Sequence, residues 1–317
     1  MFFDMADSKI AFVFPGQGSQ KVGMGADLSQ TYPTARKIFE EADNILHFPI
    51  SKIIWEGPAE LLNDTINTQP ALLIQSSAVL FVLHERYPNL LPDYVAGHSV
   101  GEISSLVAAK VLSFSDALKL TRTRAELMKQ AGLNTPGNMA AIIGLGIKQI
   151  EDICNQVSHT NQIVQVANDN CPGQVVVSGT STAINEAINL AKQIGGRAVP
   201  LNVSVAAHSA LMKTAQFGLN QIIEKMTFNN SIIPIIGNVS AKMLLSVEEI
   251  REDLNNQLTS PVLWTKTIQS LIDLGVTKFI EIGNGSVLCG LIKRIDNHVD
   301  CISITNPQDI IQLSSYL

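Results

Sequence analysis

Short apolar runs that end at turn signals alternate along this chain with longer stretches in which apolar residues recur every three or four positions. Lys9 to Phe14 (KIAFVF) reads as a buried strand that stops at Pro15-Gly16-Gln17-Gly18. Helical periodicity follows over Thr34 to Leu46 and Pro70 to Tyr87. A second strand, Tyr94 to Ala96, runs into Gly97-His98-Ser99-Val100-Gly101, with helices predicted at Glu102 to Val111 and Ser115 to Ala131.

The texture changes at Asn134-Thr135-Pro136-Gly137. Six elements then follow: strand Met139 to Leu145, helix Lys148 to Gln156, strands Ile163 to Ala167 and Gln174 to Gly179, helix Thr182 to Ile194, and strand Arg197 to Val203. This βαββαβ order is ferredoxin-like, with Asn168 to Gly173 expected as the turn between its middle strands. Afterwards come a helix at Ser209 to Met226, a strand at Ile232 to Ile236, helices near Val247 to Leu258 and Thr265 to Leu274, and strands at Lys278 to Ile282 and Cys301 to Ile304. The expected fold is α/β: a large discontinuous domain, 1–133 and 205–317, and an inserted small domain, 134–204.

Composition adds exclusions. Of 317 residues 46% are hydrophobic and 16% charged, against about 25% charged in an average globular protein, so a packed chain is expected and disorder is not. With 22 Lys+Arg against 28 Asp+Glu the formal charge is −6, and no basic run is present, which argues against nucleic acid as the main partner. The start MFFDMADSKI has no basic region ahead of an apolar one, unlike a signal peptide. No uninterrupted apolar window reaches the roughly 18 residues of a membrane span. Cys154, Cys171, Cys289 and Cys301 lack C-x-x-C spacing, so zinc and redox-motif readings fail; reduced cysteines in a cytoplasmic protein are expected.

Three glycine pairs could open a phosphate-binding turn. Each lacks the third small residue of a dinucleotide fingerprint, because Lys21, Gln149 and Leu288 stand where it is needed. Turns and close packing explain them, and no cofactor is expected.

Gly97-His98-Ser99-Val100-Gly101 fits G-x-S-x-G, and the predicted strand before and helix after supply the context of a nucleophile elbow. A serine hydroxyl needs a base, for which histidine is suited near pH 7. Of six histidines, His47, His84, His159 and His298 fall on surface-like segments. His98 follows the turn away from Ser99 and reads as structural. His208 lies between a strand and a helix, where open α/β sheets build sites, and is the expected base. On the helix after the elbow, at about 100° per residue, Arg124 falls at the centre of the face formed by Ala117, Leu120, Leu127, Met128 and Ala131, while Arg122 points away. A buried guanidinium demands a partner. An internal salt bridge and a carboxylate-bearing substrate both satisfy that demand.

The chain resembles the malonyl-CoA:acyl carrier protein transacylases over essentially its full length. The segments that carry the resemblance are FPGQGSQ at 14–20, GHSVGE at 97–102, TRTRAELM at 121–128, ANDNCPGQVVVSG at 167–179, SVAAHSALM at 204–212 and NQLTSPVLWT at 256–265. It implies an α/β-hydrolase-like large domain with a parallel sheet, Ser99 as acyl carrier, His208 as base and Arg124 as partner of the malonyl carboxylate. It further implies that the N–H groups of Gln17 and Val100 form the oxyanion hole and that Gln257 orients the histidine through its main chain, its side chain mattering little. The implied partners are malonyl-CoA, a substrate and not a cofactor, and acyl carrier protein, with the protein a monomer that binds neither nucleic acid nor membrane.

Some positions depart from the family pattern. Ala206-Ala207 replaces a proline-serine pair, Val100 stands where leucine is usual, and Gly283-Asn284-Gly285-Ser286 stands where proline and lysine are commoner. These changes bear on loop rigidity and on contacts to coenzyme or carrier protein. Two other readings are a serine hydrolase such as a thioesterase, which would want an acid between Ser99 and His208 at a strand end, and a silent module that docks acyl carriers. Asp152, Asp169 and Glu186 all fall inside the insertion, which favours a Ser99–His208 dyad over a triad.

Overall fold

The computed structural model describes residues 9–201, 203 and 205–316. The expected domain junction at 204/205 and the start of the SVAAHSALM segment touch Ser204, outside the described residues. Among the described residues ten strands form two sheets: β1 (Lys9–Phe14), β2 (Tyr94–Gly97), β3 (Asn138–Ile143), β4 (Val164–Cys171), β5 (Gln174–Gly179), β6 (Arg197–Pro200), β7 (Ile235–Ile236), β8 (Met243–Leu244), β9 (Val276–Ile282) and β10 (Asp300–Ile304). The larger sheet runs β10-β9-β1-β2-β7-β8, parallel apart from the terminal β7–β8 pair. The smaller sheet runs β4-β5-β3-β6 and is antiparallel throughout. It is built from consecutive elements in the βαββαβ order expected.

Residues 11–14 of β1 are buried on both sides, as a central parallel strand covered by helices on both faces requires. Helix Thr65–Arg86 covers one face and is buried over most of its length. Among the described residues it is the one helix long and apolar enough to cross a membrane, and 89% of that stretch lies inside the protein. The periodicity placed its start at Pro70, but the helix begins five residues earlier, capped by the Asp64 carboxylate on the Ile66 N–H. Pro70 cannot donate to the Ile66 carbonyl. Arg122 Nη1 donates to that carbonyl instead, at 3.0 Å, which gives the first arginine of the TRTR segment a structural task.

Three further expectations are corrected. The Asn168 to Gly173 turn contracts to Pro172-Gly173, because β4 continues through Cys171 with bulges. Its other side is pinned to the larger domain by Asp169 N–H to Val262 O and Val262 N–H to Ala167 O, both 2.9 Å. The helix expected from Ser209 starts as a short 3-10 turn, Ala210–Met212, ahead of the α-helix Lys213–Lys225. The cysteines are not all reduced: Cys289 and Cys301 form a disulfide, with Cα atoms 5.3 Å apart, while Cys154 and Cys171 stay free and buried. β10 pairs with β9, and helix Val287–Ile295 follows directly after β9, so residues twelve apart in sequence become neighbours.

Candidate active site

β2 delivers Ser99 at its C-terminal end, one residue before the cap of helix Gly101–Ala108. Ser99 carries the strain of the elbow, with φ 53°, a region costly for residues other than glycine. The flanking glycines serve close approach. A Cβ on Gly97 would lie 2.0 Å from the Gly101 carbonyl, and one on Gly101 would lie 2.1 Å from Phe14 O. The motif therefore lets β1, β2 and the helix meet at one point while the serine is held above it.

Asn238, just past β7, clamps the elbow from the next strand. Its Oδ1 accepts the Ser99 N–H at 2.8 Å and its Nδ2 donates to Gly97 O at 2.6 Å. Ser99 Oγ lies 2.8 Å from His208 Nε2. His208 is also held at positive φ, 56°, and its Nδ1 faces the carbonyls of Gln257 at 2.9 Å and Ser260 at 3.2 Å. Among the described residues no carboxylate hydrogen-bonds or ion-pairs with this ring. Nδ1 thus carries the proton toward carbonyl oxygen and Nε2 is left to accept from serine. Burial, and then the Arg124 charge, push the His208 pKa down to about 3, so the base is neutral and available at pH 7.

Arg124 sits in the middle of helix Phe114–Asn134 and is 2% exposed. Nη1 donates to Gln69 Oε1 at 2.5 Å, and Nη2 donates to Gln257 Oε1 at 2.8 Å and to Ser99 Oγ at 3.2 Å. No Asp or Glu forms a salt bridge with it among the described residues. Burial lowers its pKa to about 10, which leaves it charged at neutral pH. The internal salt-bridge reading of Arg124 is thereby excluded for these residues, and two neutral carboxamides hold the guanidinium against the nucleophile.

Gln17 lies on the loop after β1, its side chain accepting from Thr65 Oγ1 at 3.2 Å. Neither the Gln17 nor the Val100 main-chain N–H donates to a protein acceptor among the described residues. Val100 N–H opens the helix that follows Ser99, where the helix dipole favours negative charge. Asn284 Nδ2 donates to Ser19 O and so braces the loop that bears Gln17. His98 turns away from Ser99, as expected, and binds Asn170 Oδ1 of β4 at 2.8 Å. A cleft of about 240 Å³ joins Gln17, Ser99, Arg124 and His208 to Met139, Asn170 and Val176 of the smaller sheet. The structure therefore brings all six expected site residues to one place.

The residues 11–302 match the acyl transferase domain. The chain belongs to the acyl transferase family. Over 304 residues it is 45% identical to the malonyl CoA-acyl carrier protein transacylase of Bacillus subtilis, covering 96% of this chain and 95% of that protein. The Staphylococcus aureus (strain MRSA252) protein of that name is 44% identical, covering 96% and 97%. Among solved structures, an acyl carrier protein S-malonyltransferase from Vibrio cholerae superposes with a TM-score of 0.92 at 41% identity, covering 96% of this chain and all of that one. A type II PKS acyl-carrier protein in complex with its malonyl-transacylase gives a TM-score of 0.94 at 40% identity, covering 98% and 100%.

Within this acyl transferase, sequence reasoning missed Gln69, Asn238 and the Gln257 side chain. Gln69 left no signal, because it lies just before Pro70, where the legible helical periodicity starts. Asn238 and the Gln257 carboxamide left none, because what they touch lies more than 130 positions away.

Proposed function

We propose that this protein transfers a malonyl group from malonyl-CoA to the phosphopantetheine thiol of an acyl carrier protein in fatty acid biosynthesis. One observation carries the choice of acyl group: a buried, charged guanidinium with no salt bridge to a carboxylate among the described residues stands 3.2 Å from the nucleophilic oxygen. The fork geometry of arginine suits a carboxylate in two parallel bonds, and a malonyl thioester places its carboxylate two carbons from the carbon under attack.

Ser99 gives its proton to His208 Nε2 as its Oγ bonds to the thioester carbonyl. The carbonyl oxygen takes up the electron pair and rests on the N–H groups of Gln17 and Val100. Collapse breaks the C–S bond, and coenzyme A leaves as its thiol with the proton from imidazolium. The carrier thiol then attacks the malonyl-serine ester by the same steps in reverse. A thiol leaves readily without a strong acid, so carbonyl support of imidazolium suffices where a protease uses aspartate. The scheme calls on no metal or organic cofactor. We place the protein in the cytoplasm, where coenzyme A thioesters are used, and read it as a monomer.

Incubation with labelled malonyl-CoA tests the proposal. Label bound covalently to Ser99 and passed to holo carrier protein is expected. Prompt release as free malonate would show a hydrolase, and no bound label would show a docking module. Arg124→Ala is expected to lose about 2 kcal/mol or more in malonyl transfer, roughly 30-fold in rate, while acetyl-CoA, which has no carboxylate to satisfy, loses far less. Equal losses for both acyl groups would assign Arg124 a structural role.

A further inference from the structure

Gln257 does more than offer its main-chain carbonyl to His208. Its carboxamide lies between two ionisable groups. Oε1 accepts from Arg124 Nη2 at 2.8 Å, while Nε2 donates to Ser99 O at 3.1 Å and to Glu102 Oε2. The amide cannot turn over without setting Nε2 against a guanidinium that only donates, so Arg124 fixes which way Gln257 faces, and Glu102 accepts from the Nε2 that results.

Glu102 is 1% exposed, and its other oxygen accepts the Asn238 N–H at 3.1 Å. That N–H is shared with Asp253 Oδ2 at 3.0 Å, and Asp253 also accepts from the Val239 and Ser240 N–H groups at 3.2 Å. Burial, and then the Asp253 charge, push the Glu102 pKa well above the usual carboxylate range. Glu102 forms no salt bridge with Arg124, and the buried Arg124 Nε has no hydrogen-bond partner among the described residues. The guanidinium is held in place by neutral groups.

We propose that the Gln257 carboxamide and the Glu102 carboxyl position Arg124 without neutralising it, and so set the preference of this site for an acyl group that carries a carboxylate. This rests on the malonyl-transfer reading above and deepens it. Both act through Arg124 and are positioning residues. Removing the carboxamide lets Arg124 drop toward Glu102, which can then pair with it and take the place of the substrate carboxylate. Replacing the amide by a carboxylate puts an internal counter-ion on Arg124 outright.

The test compares Ser99 loading from malonyl-CoA and from acetyl-CoA in the wild type, Gln257→Ala and Gln257→Glu, with kcat and KM separated. The wild-type preference for malonyl checks the functional reading, and the change in that preference checks this proposal. In Gln257→Ala the malonyl-to-acetyl ratio of kcat/KM is expected to fall about ten-fold, mainly through the malonyl KM, the scale of one lost contact to a charged group. Gln257→Glu, which keeps size and shape, should fall further, since a direct ion pair competes with substrate. An unchanged ratio, or equal losses for both substrates, would overturn the proposal. If Gln257→Ala does not fold, Gln257→Glu decides by the same ratio. A Gln257→Glu protein that cannot fold would also count against it, because the site is required to accept a carboxylate beside Arg124.

Discussion

Ser99→Ala is expected to abolish the malonyl adduct completely and to lower transfer by a factor on the order of 10⁶, the scale seen when an activated serine is removed from a hydrolase. Only one oxygen is lost. Alanine meets the same positive φ that serine already bears, and the main-chain bonds that shape the elbow, Ser99 N–H to Asn238 and Asn238 to Gly97, do not involve the hydroxyl. Arg124 Nη2 keeps its bond to Gln257. The variant should therefore fold with an unchanged near-UV spectrum. Intact-protein mass spectrometry after exposure to malonyl-CoA is the measurement, and an adduct of undiminished yield would remove Ser99 from the mechanism.

His208→Ala is expected to slow loading by roughly 10²- to 10⁴-fold, the usual range for a lost general base. Its pH behaviour is the sharper check. The folded-state pKa of His208, about 3, lies below the roughly 6.5 of a free imidazole. The acid limb of kcat/KM, which reports the free enzyme, should therefore lie clearly below pH 6.5. The sign for stability follows from the same depression. The neutral ring favours the folded state fully above pH 6.5, and that contribution is withdrawn as pH falls from 6.5 toward 3. Unfolding free energies of wild type and His208→Ala should converge over that window. A substrate carboxylate on Arg124 offsets the charge that opposes imidazolium, so the limb seen in kcat should sit higher for malonyl than for acetyl groups. A limb at or above pH 6.5 in kcat/KM would point to another base.

Two of the three departures from the family pattern now have surroundings. Ala206 O accepts the Ser209 hydroxyl at 2.7 Å, so a local side-chain bond shapes the turn before His208 without the proline-serine pair. Asn284 ties the late loop to Ser19 O, next to the loop that presents Gln17. Asparagine at this position ties the late loop to the loop that presents Gln17 by a bond within the protein.

What the sequence determined by itself is what local physics controls. The elbow was legible because a strand, two glycines at fixed offsets and a helix lie within a dozen residues, and the close approaches they allow are between neighbours. The buried position of Arg124 followed from the 3.6-residue period of its own helix. The βαββαβ order followed from alternating periods and turns. Tertiary structure decided everything that depends on pairing across the chain. Arg124 meets carboxamides from residues 69 and 257, which settles between an internal ion pair and an open cationic site. Asn238 reaches the elbow only because β7 pairs with β2. β4 runs through a segment rich in turn-forming residues because Val262 offers it a second backbone partner. Pro70 is tolerated inside a helix because Arg122 takes up the carbonyl it frees. Cys289 and Cys301 meet because β10 lies beside β9. In each case one residue's own tendency was outweighed by a hydrogen bond or contact to a segment that sequence distance keeps out of view, since a buried polar group left without its partner costs more than a local preference can return.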